Sequence, residues 1–231
     1  MVDAADGRSG DMRLFFVESS QLEMLDDWQN VAGMRGTGSN GVIADGVFVP
    51  EGLAQSVGAP IVLDRPLFRI PMFVHAAAQA TAAVLGAWRS GLTSVIEAIA
   101  TYRSAVDGRS PGDDEFNQEL VAHADAAYRA ARAGFATAAD EMWESLQQPS
   151  GAPIDVRARM FATMIYTLDT AREEISRLYA ASSRATFDRG HPAEQALRNI
   201  HAFSNPVDKF RRHAVDAGRV MLDRKPRSPV F

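Results

Sequence analysis

The spacing of apolar residues along this chain changes near residue 70. Before that point, short runs of apolar and β-branched residues are separated by Gly, Asp, Ser and Pro, a pattern typical of strands. After it, apolar residues recur every three or four positions almost to the end, which is the period of amphipathic helices. The pattern therefore predicts a mainly α chain that begins with a short antiparallel β segment.

Three long helices are predicted in the second part of the chain. The first runs from about residue 71 to residue 102. The second begins after a break at residues 107–112, where Ser110 with Asp113 resembles a capping box and Pro111 takes the first helical position, and it ends near Leu146. The third carries apolar residues at alternating spacings of three and four between Phe161 and Leu178.

Two shorter helices are predicted to follow. One begins at Pro192, and Asn205 with Pro206 provides the start signal of the last one, in which Asp208 lies in the first turn. A helix of 30 residues is about 45 Å long, which is more than a small sheet can cover. The prediction is therefore a C-terminal four-helix up-down bundle that self-associates through a helix face.

Strand patterns are found at residues 12–17, 28–34 and 41–49, and residues 52–65 read as a connector. A bend rich in glycine and short polar residues joins the last two predicted strands. Its members are Arg35, Gly36, Thr37, Gly38, Ser39, Asn40 and Gly41. Because glycine admits positive φ and leaves backbone N–H groups uncovered, such a bend can hold an anion or a flat polar ring. The alternative is an ordinary hairpin whose hydroxyl groups stabilise the turn.

Composition narrows the function. The 231 residues include 46% apolar residues, no cysteine and a net charge of −5. The absence of cysteine excludes disulfides, thiolate metal ligands and a cysteine nucleophile, and it fits a cytoplasmic protein. The acidic balance argues against nucleic-acid binding, and no apolar run approaches the roughly 20 residues of a membrane span. The first ten residues lack the apolar core of a signal peptide, and the histidines show no metal-ligand spacing.

Two stretches carry a family resemblance. The first contains Trp28, the run Gly-Met-Arg-Gly-Thr-Gly-Ser at residues 33–39 and Asp-Gly-Val-Phe-Val-Pro at residues 45–50. The second contains the small residues Ser182 and Ser183, then a proline-started helix with Arg-Asn-Ile-His at residues 198–201. Together they resemble the C-terminal part of the acyl-CoA dehydrogenase superfamily, and most of all its flavin-dependent monooxygenase branch.

The resemblance implies an organisation and an activity. Residues 1–65 would end a middle β-domain, and residues 66–231 would form the C-terminal helical domain. The activity would be hydroxylation of an organic substrate by oxygen and reduced flavin, FMN or FAD, delivered by a separate flavin reductase to a homotetramer. The family's N-terminal half is absent from this sequence. The chain is therefore alternatively a truncated copy that acts as an oligomerising subunit, or one that a partner completes.

The resemblance also assigns site residues. His201 is the candidate catalytic contact to flavin or substrate. The candidate cofactor contacts are Arg35, Thr37, Gly38, Ser39, Arg103 and Ser183. Structural alternatives are a satisfied histidine between helices for His201, a surface ion pair for Arg35 and a cation at a helix C-terminus for Arg103.

Two departures from the family pattern matter. Ser182 and Ser183 replace paired glycines, and Asn205 with Pro206 stands where monooxygenases carry a second histidine. An acyl-CoA dehydrogenase is a third possible function, and it needs a carboxylate base. The carboxylate nearest to the family position of that base is Asp208, which is better explained as a first-turn helix residue.

Overall fold

The computed structural model describes residues 13–56, 59–182, 186–204 and 207–228, with only the backbone described at residues 204 and 207–212. The chain forms short strands β1 (Arg13–Phe15), β2 (Glu23–Met24), β3 (Val42–Ile43) and β4 (Ala54–Ser56). Helices α1 (Met72–Thr101), α2 (Glu115–Leu146), α3 (Ile154–Ala181), α4 (Pro192–Ser204) and α5 (Val207–Met221) follow. The mainly α class with a leading antiparallel β segment is confirmed.

The strands pair differently from the prediction. β1 pairs antiparallel with β4, which lies inside the predicted connector, and β2 pairs antiparallel with β3. Residues 28–34 form no strand, and within residues 41–49 only β3 is extended in a sheet. The predicted hairpin across the bend is therefore wrong, because side chains take the backbone hydrogen bonds there: Asn40 Oδ1 accepts the Trp28 N–H at 3.1 Å, and Asn199 Oδ1 accepts the Met34 N–H at 2.8 Å.

The long helices begin and end close to the predicted residues, with one correction at the start of α2. Ser110 caps a 3-10 turn at Pro111–Asp113 by accepting the Gly112 N–H at 3.1 Å. Asp114 then caps α2 itself and accepts the Phe116 N–H at 2.8 Å. The capping-box prediction therefore named the wrong residue for α2. The predicted cap at Asn205 lies outside the described residues.

Helix α3 lies at the centre of the bundle and contacts α1, α2, α4 and α5. One core cluster surrounds Trp88 and Ile175 and includes Ile200 of α4, and a second surrounds Met164 and includes Ala217 of α5. The bundle thus holds five described helices, since α4 and α5 pack against α3 as separate elements. None of the described helices is long and apolar enough to cross a membrane.

The β segment has almost no core of its own. Among the described residues from 13 to 71, only Gly33 is buried. Large apolar side chains such as Phe48 and Val62 are 84% and 90% exposed. Gly33 is buried because it lies against α4: a Cβ atom there would come within 2.3 Å of the Arg198 carbonyl oxygen. The contact with α4 therefore positions the bend.

Candidate functional site

A cavity of about 420 Å³ lies between the bend and the C-terminal end of α4. It is lined by Trp28, Val31, Ala32, Gly33, Met34, Thr37, Ser39, Ala202 and Phe203. Its volume falls within the range of about 300–1,000 Å³ that is typical of small-molecule sites. An apolar lining with a few hydroxyl and backbone groups is also typical of such sites.

The bend holds an unusual backbone geometry. A 3-10 turn at Arg35–Thr37 is flanked by Met34 with φ 58° and Gly38 with φ 55°, both left-handed. Gly36 and Gly41 do not use the positive φ that glycine admits. A left-handed residue other than glycine costs about 1 kcal/mol or more and persists only where surrounding contacts hold it. The conformation of the bend at Met34 therefore depends on contacts with surrounding residues.

Those contacts converge on the backbone of Met34. Its carbonyl oxygen accepts the Trp28 indole N–H at 3.1 Å and the Thr37 hydroxyl at 2.8 Å. Its N–H donates to Asn199 Oδ1 at 2.8 Å. The orientation of this one residue thus fixes the indole and the hydroxyl groups on the same wall of the cavity.

The hydroxyl pair in the cavity has a definite hydrogen-bonding capacity. Thr37 Oγ1 uses its only proton on the Met34 carbonyl oxygen, so Ser39 is the donor in their 2.9 Å contact. With both protons committed, only lone pairs remain for a ligand. The cavity therefore favours a ligand that presents an N–H or O–H group to Thr37 and Ser39.

Helix α4 anchors the bend from the other side. The Arg198 guanidinium donates to the Ala32 carbonyl oxygen at 2.9 Å and pairs with Glu194 one turn earlier. Gly33 packs against the Arg198 backbone. The hydrogen bond from Arg198 holds the pKa of the Glu194 carboxyl below its usual value, and the Gly190 N–H at 3.2 Å lowers this pKa further, against the opposing effect of burial.

This pKa shift predicts an acid-sensitive anchor. Because the pKa of Glu194 is lower in the folded state than its unfolded value of about 4.5, the pair with Arg198 stabilises the fold above pH 4.5. That stability is lost as the pH falls through the folded-state pKa. An (i, i+4) pair is worth about 0.5 kcal/mol. We expect Glu194→Gln to lower the free energy of unfolding by about this amount at pH 7 and by less at pH 3, as measured by urea denaturation. An equal loss at both pH values would contradict the assignment.

The structure brings only some of the predicted site residues to the cavity. Thr37 and Ser39 line it, and Gly38 ends the 3-10 turn beside them. Arg35 lies in the same turn, but its Nε donates to the Val31 carbonyl oxygen at 2.9 Å and its side chain is exposed. Ser183 lies outside the described residues.

His201 and Arg103 lie elsewhere. His201 contacts Ser176 of α3 at 2.8 Å through Nε2; since Ser176 donates to the Arg172 carbonyl oxygen, Nε2 is the donor. This contact matches the satisfied-histidine alternative, and the catalytic role of His201 stays a prediction. Arg103 follows the C-terminal end of α1 and donates to the Ala100 and Tyr102 carbonyl oxygens.

The position of Arg103 limits its possible role. The cavity residue Phe203 lies near the N-terminal turns of α1, because it also lines a small groove with Ala77 and Ala80. At 1.5 Å per residue, Arg103 is roughly 35 Å along the helix from Ala80. A cofactor contact of Arg103 would therefore be with the cavity of a neighbouring copy.

Sequence reasoning missed the two residues that join the bend to α4, Gly33 and Asn199. Both lie inside the stretches that carry the family resemblance, but Asn199 bonds Met34 across 165 residues and Gly33 packs against Arg198. Spacing along the chain carries no signal for such a pair.

Comparisons with known proteins identify the family of the chain. Residues 78–205 match the family model described as acyl-CoA dehydrogenase, C-terminal domain. A pigment production hydroxylase from Rhodococcus sp. is 26% identical over 200 residues, which are 82% of this chain and 50% of the relative. The flavin-dependent monooxygenase oxygenase subunit HsaA of Mycobacterium tuberculosis is 27% identical over 210 residues, 85% of this chain and 52% of the relative.

The fold also matches a solved structure. The crystal structure of the HsaA monooxygenase from M. tuberculosis superposes with a TM-score of 0.85 at 23% identity, covering 98% of this chain and 60% of that chain. The chain thus spans about half the length of the curated relatives it matches.

Proposed function

Because the chain belongs to the family of acyl-CoA dehydrogenase C-terminal domains, we propose that it forms part of a flavin-dependent oxidoreductase of the monooxygenase type. The observation that carries this proposal is the cavity between the bend and α4, whose walls combine an indole with two hydrogen-bond-accepting hydroxyls. Residues 1–65 would be the end of a β-domain, and residues 66–231 the helical domain.

The residues present fit a flavin. The cavity has the volume of a small-molecule site. Trp28 offers a flat apolar wall for a ring system, and Thr37 and Ser39 accept hydrogen bonds from ring N–H groups. Reduced flavin, when bound, would supply the electrons with which molecular oxygen hydroxylates an organic substrate. The chain itself would bind and orient the ring, and Trp28 with Phe203 would keep water away from it.

The relatives also favour a monooxygenase over an acyl-CoA dehydrogenase. A dehydrogenase of this family needs a carboxylate that removes a proton from the substrate. The side chain of the candidate base, Asp208, lies outside the described residues. HsaA, whose similarity covers 85% of this chain, is named a flavin-dependent monooxygenase. We propose the same activity for the protein that contains this chain, together with a flavin reductase as its partner.

Anaerobic titration tests the proposal directly. The purified chain is titrated with FMN and FAD, each oxidised and dithionite-reduced, and tryptophan fluorescence is followed. We expect saturable binding, with the reduced form bound about three- to tenfold more tightly, because only reduced flavin carries the extra ring N–H that the hydroxyls can accept, a difference of one hydrogen bond. The proposal would be overturned if the chain bound none of the four flavin forms, whether it was tested alone or together with a co-expressed neighbouring gene product.

A substitution at Thr37 tests the role of the hydroxyl pair. Thr37→Val keeps the side-chain shape but removes the donor to Met34 and the partner of Ser39. We expect about tenfold weaker binding of reduced flavin and loss of the preference over the oxidised form, measured by the same titration. Thr101→Val is the matched control, since Thr101 donates to the Glu97 carbonyl oxygen on the exposed end of α1. A Thr37→Val protein that kept the preference would refute this role.

One observation favours a second candidate function, that of an oligomerising or interaction subunit without activity of its own. The β segment exposes large apolar side chains, and exposed apolar surface of this kind marks protein contacts. Size-exclusion chromatography with light scattering distinguishes the candidates in combination with the titration. An oligomer that binds no flavin supports this second function, whereas a monomer contradicts it. A homotetramer, the choice between FMN and FAD and a cytoplasmic location remain predictions.

A further inference from the structure

We propose that Asn199 is a positioning residue for the cavity, which sets the orientation of Met34 and, through it, of Trp28 and Thr37. For the identity of the ligand this inference rests on the proposed function. The contacts that carry it lie within the chain and are independent of any ligand.

The chain of contacts is short. Asn199 Oδ1 accepts the Met34 N–H at 2.8 Å. The carbonyl oxygen of the same residue accepts the Trp28 indole at 3.1 Å and the Thr37 hydroxyl at 2.8 Å. Because both acceptor bonds end on one oxygen, a rotation of the backbone at Met34 displaces the indole and the hydroxyl together.

Met34 needs an external contact to hold this orientation. Its φ of 58° is left-handed, a conformation that side chains with a Cβ rarely adopt. The contacts of Arg198 with Ala32 and Gly33 hold the two preceding residues and do not involve Met34 itself. The Asn199 amide oxygen accepts the Met34 N–H and so holds the peptide plane between Gly33 and Met34. The hydrogen bonds to the Met34 carbonyl oxygen, which include one from the Thr37 N–H at 3.1 Å, hold the following peptide plane. The left-handed state of Met34 is the rotation between these two planes, so it depends on the Asn199 contact as well as on the carbonyl contacts.

Asn199 is suited to this task because α4 is rigidly packed where it projects. The neighbouring Ile200 is fully buried, and so is Ala196 one turn earlier. A positioning side chain on a packed helix holds its partner more closely than one on a loop. The core of the bundle thus sets the geometry of a cavity wall that belongs to the β segment.

The chemistry of the contact defines which replacements should work. A backbone N–H needs only an acceptor, so the carboxylate of Asn199→Asp can replace the amide oxygen. Asn199→Leu has a similar size and offers no acceptor. The pair of variants separates the loss of this hydrogen bond from the loss of side-chain volume.

The experiment uses a Trp143→Phe background. Trp143 is half exposed and Trp88 is fully buried, so iodide quenching in this background reports on Trp28. We expect Asn199→Leu to increase quenching of Trp28 and to weaken binding of reduced FMN about tenfold, the effect of one lost hydrogen bond. Asn199→Asp should restore both values. Asn117→Leu is the control, since Asn117 bonds the Pro111 carbonyl oxygen at the start of α2.

Two results would overturn the proposal. The first is that the Asn199→Leu protein shows the same quenching and the same FMN affinity as the background protein. The second is that Asn199→Asp changes both values as much as Asn199→Leu does, which would mean that the shape of the side chain, and not its hydrogen bond, positions Trp28. If the background protein binds no reduced FMN, the proposed function fails, while iodide quenching of the three variants still decides whether Asn199 positions Trp28.

Discussion

Gly33→Ala is expected to weaken the binding of reduced flavin by about five- to 160-fold. The added methyl group would come within 2.3 Å of the Arg198 carbonyl oxygen and 2.9 Å of the Ala202 Cβ. Both atoms belong to a packed helix and cannot move aside, so the bend has to leave α4. Overpacking of this kind costs about 1–3 kcal/mol, which corresponds to the stated range of affinity when docking of the bend is required for binding.

The matched control lies three residues away. Gly36→Ala adds the same methyl group to the same bend, where no atom lies within 4 Å and φ is not positive. We expect its flavin affinity to stay at the wild-type value and, in the Trp143→Phe background, its iodide quenching of Trp28 to match that of the background protein. If Gly33→Ala binds reduced flavin as well as Gly36→Ala does, the bend does not need α4 for binding and the assigned cavity is wrong.

Gly91→Ala is expected to destabilise the helical bundle by about 1–3 kcal/mol, the usual cost of overpacking a core. Gly91 lies in α1 where a Cβ would come within 2.6 Å of Ile175 Cδ1 and 2.7 Å of the Ala196 Cβ. The Ile175 methyl group can rotate away, but the Ala196 Cβ is fixed to the backbone of α4. We therefore expect α1 and α4 to separate locally, as a lower midpoint of urea denaturation followed by circular dichroism would show.

The same helix supplies a control with the opposite sign. Gly86 is exposed, and a Cβ added there would meet no atom within 4 Å. Gly86→Ala should stabilise the protein by about 0.5–1 kcal/mol, since alanine loses less conformational entropy than glycine in a helix. If Gly91→Ala and Gly86→Ala shifted the midpoint of urea denaturation in the same direction, the close approach of α1 and α4 at Gly91 would be refuted.

The two glycines connect bundle packing with the site. Gly91 allows α4 to lie close against α1, and α4 in turn carries Arg198 and Asn199, which hold the bend. A change in the helix packing at Gly91 should therefore also reach the cavity. Iodide quenching of Trp28 in the Gly91→Ala protein, made in the Trp143→Phe background, measures this coupling.

Most of the helical architecture could be predicted from the sequence. The apolar spacing of α1, α2 and α3 and the break signals between them follow from local periodicity, which each segment carries independently of the rest. The glycine-rich bend and its hydroxyl residues were also visible, because turn-forming residues act over a few positions. Thr37 and Ser39 were predicted as site residues on this basis and on the family resemblance, and both line the cavity.

The start of α2 shows where local signals become ambiguous. Ser110 and Asp114 are both good N-cap residues four positions apart, and the structure uses the first for a 3-10 turn and the second for the helix. The pairing of the strands is even harder to predict from local signals. A pair such as β1 with β4 joins residues some 40 positions apart, and register between such segments is set by the packing of the whole fold.

By itself, the sequence determined the positions of the long helices and the chemical character of the bend, because those depend on residues close together in the chain. Only the tertiary structure decided that residues 28–34 form a docked loop, that Gly33 and Asn199 join it to α4, and that His201 contacts Ser176. The reason is physical: hydrogen bonds and close contacts between distant segments leave no periodic trace along the chain. The cavity exists only where the β segment meets the bundle.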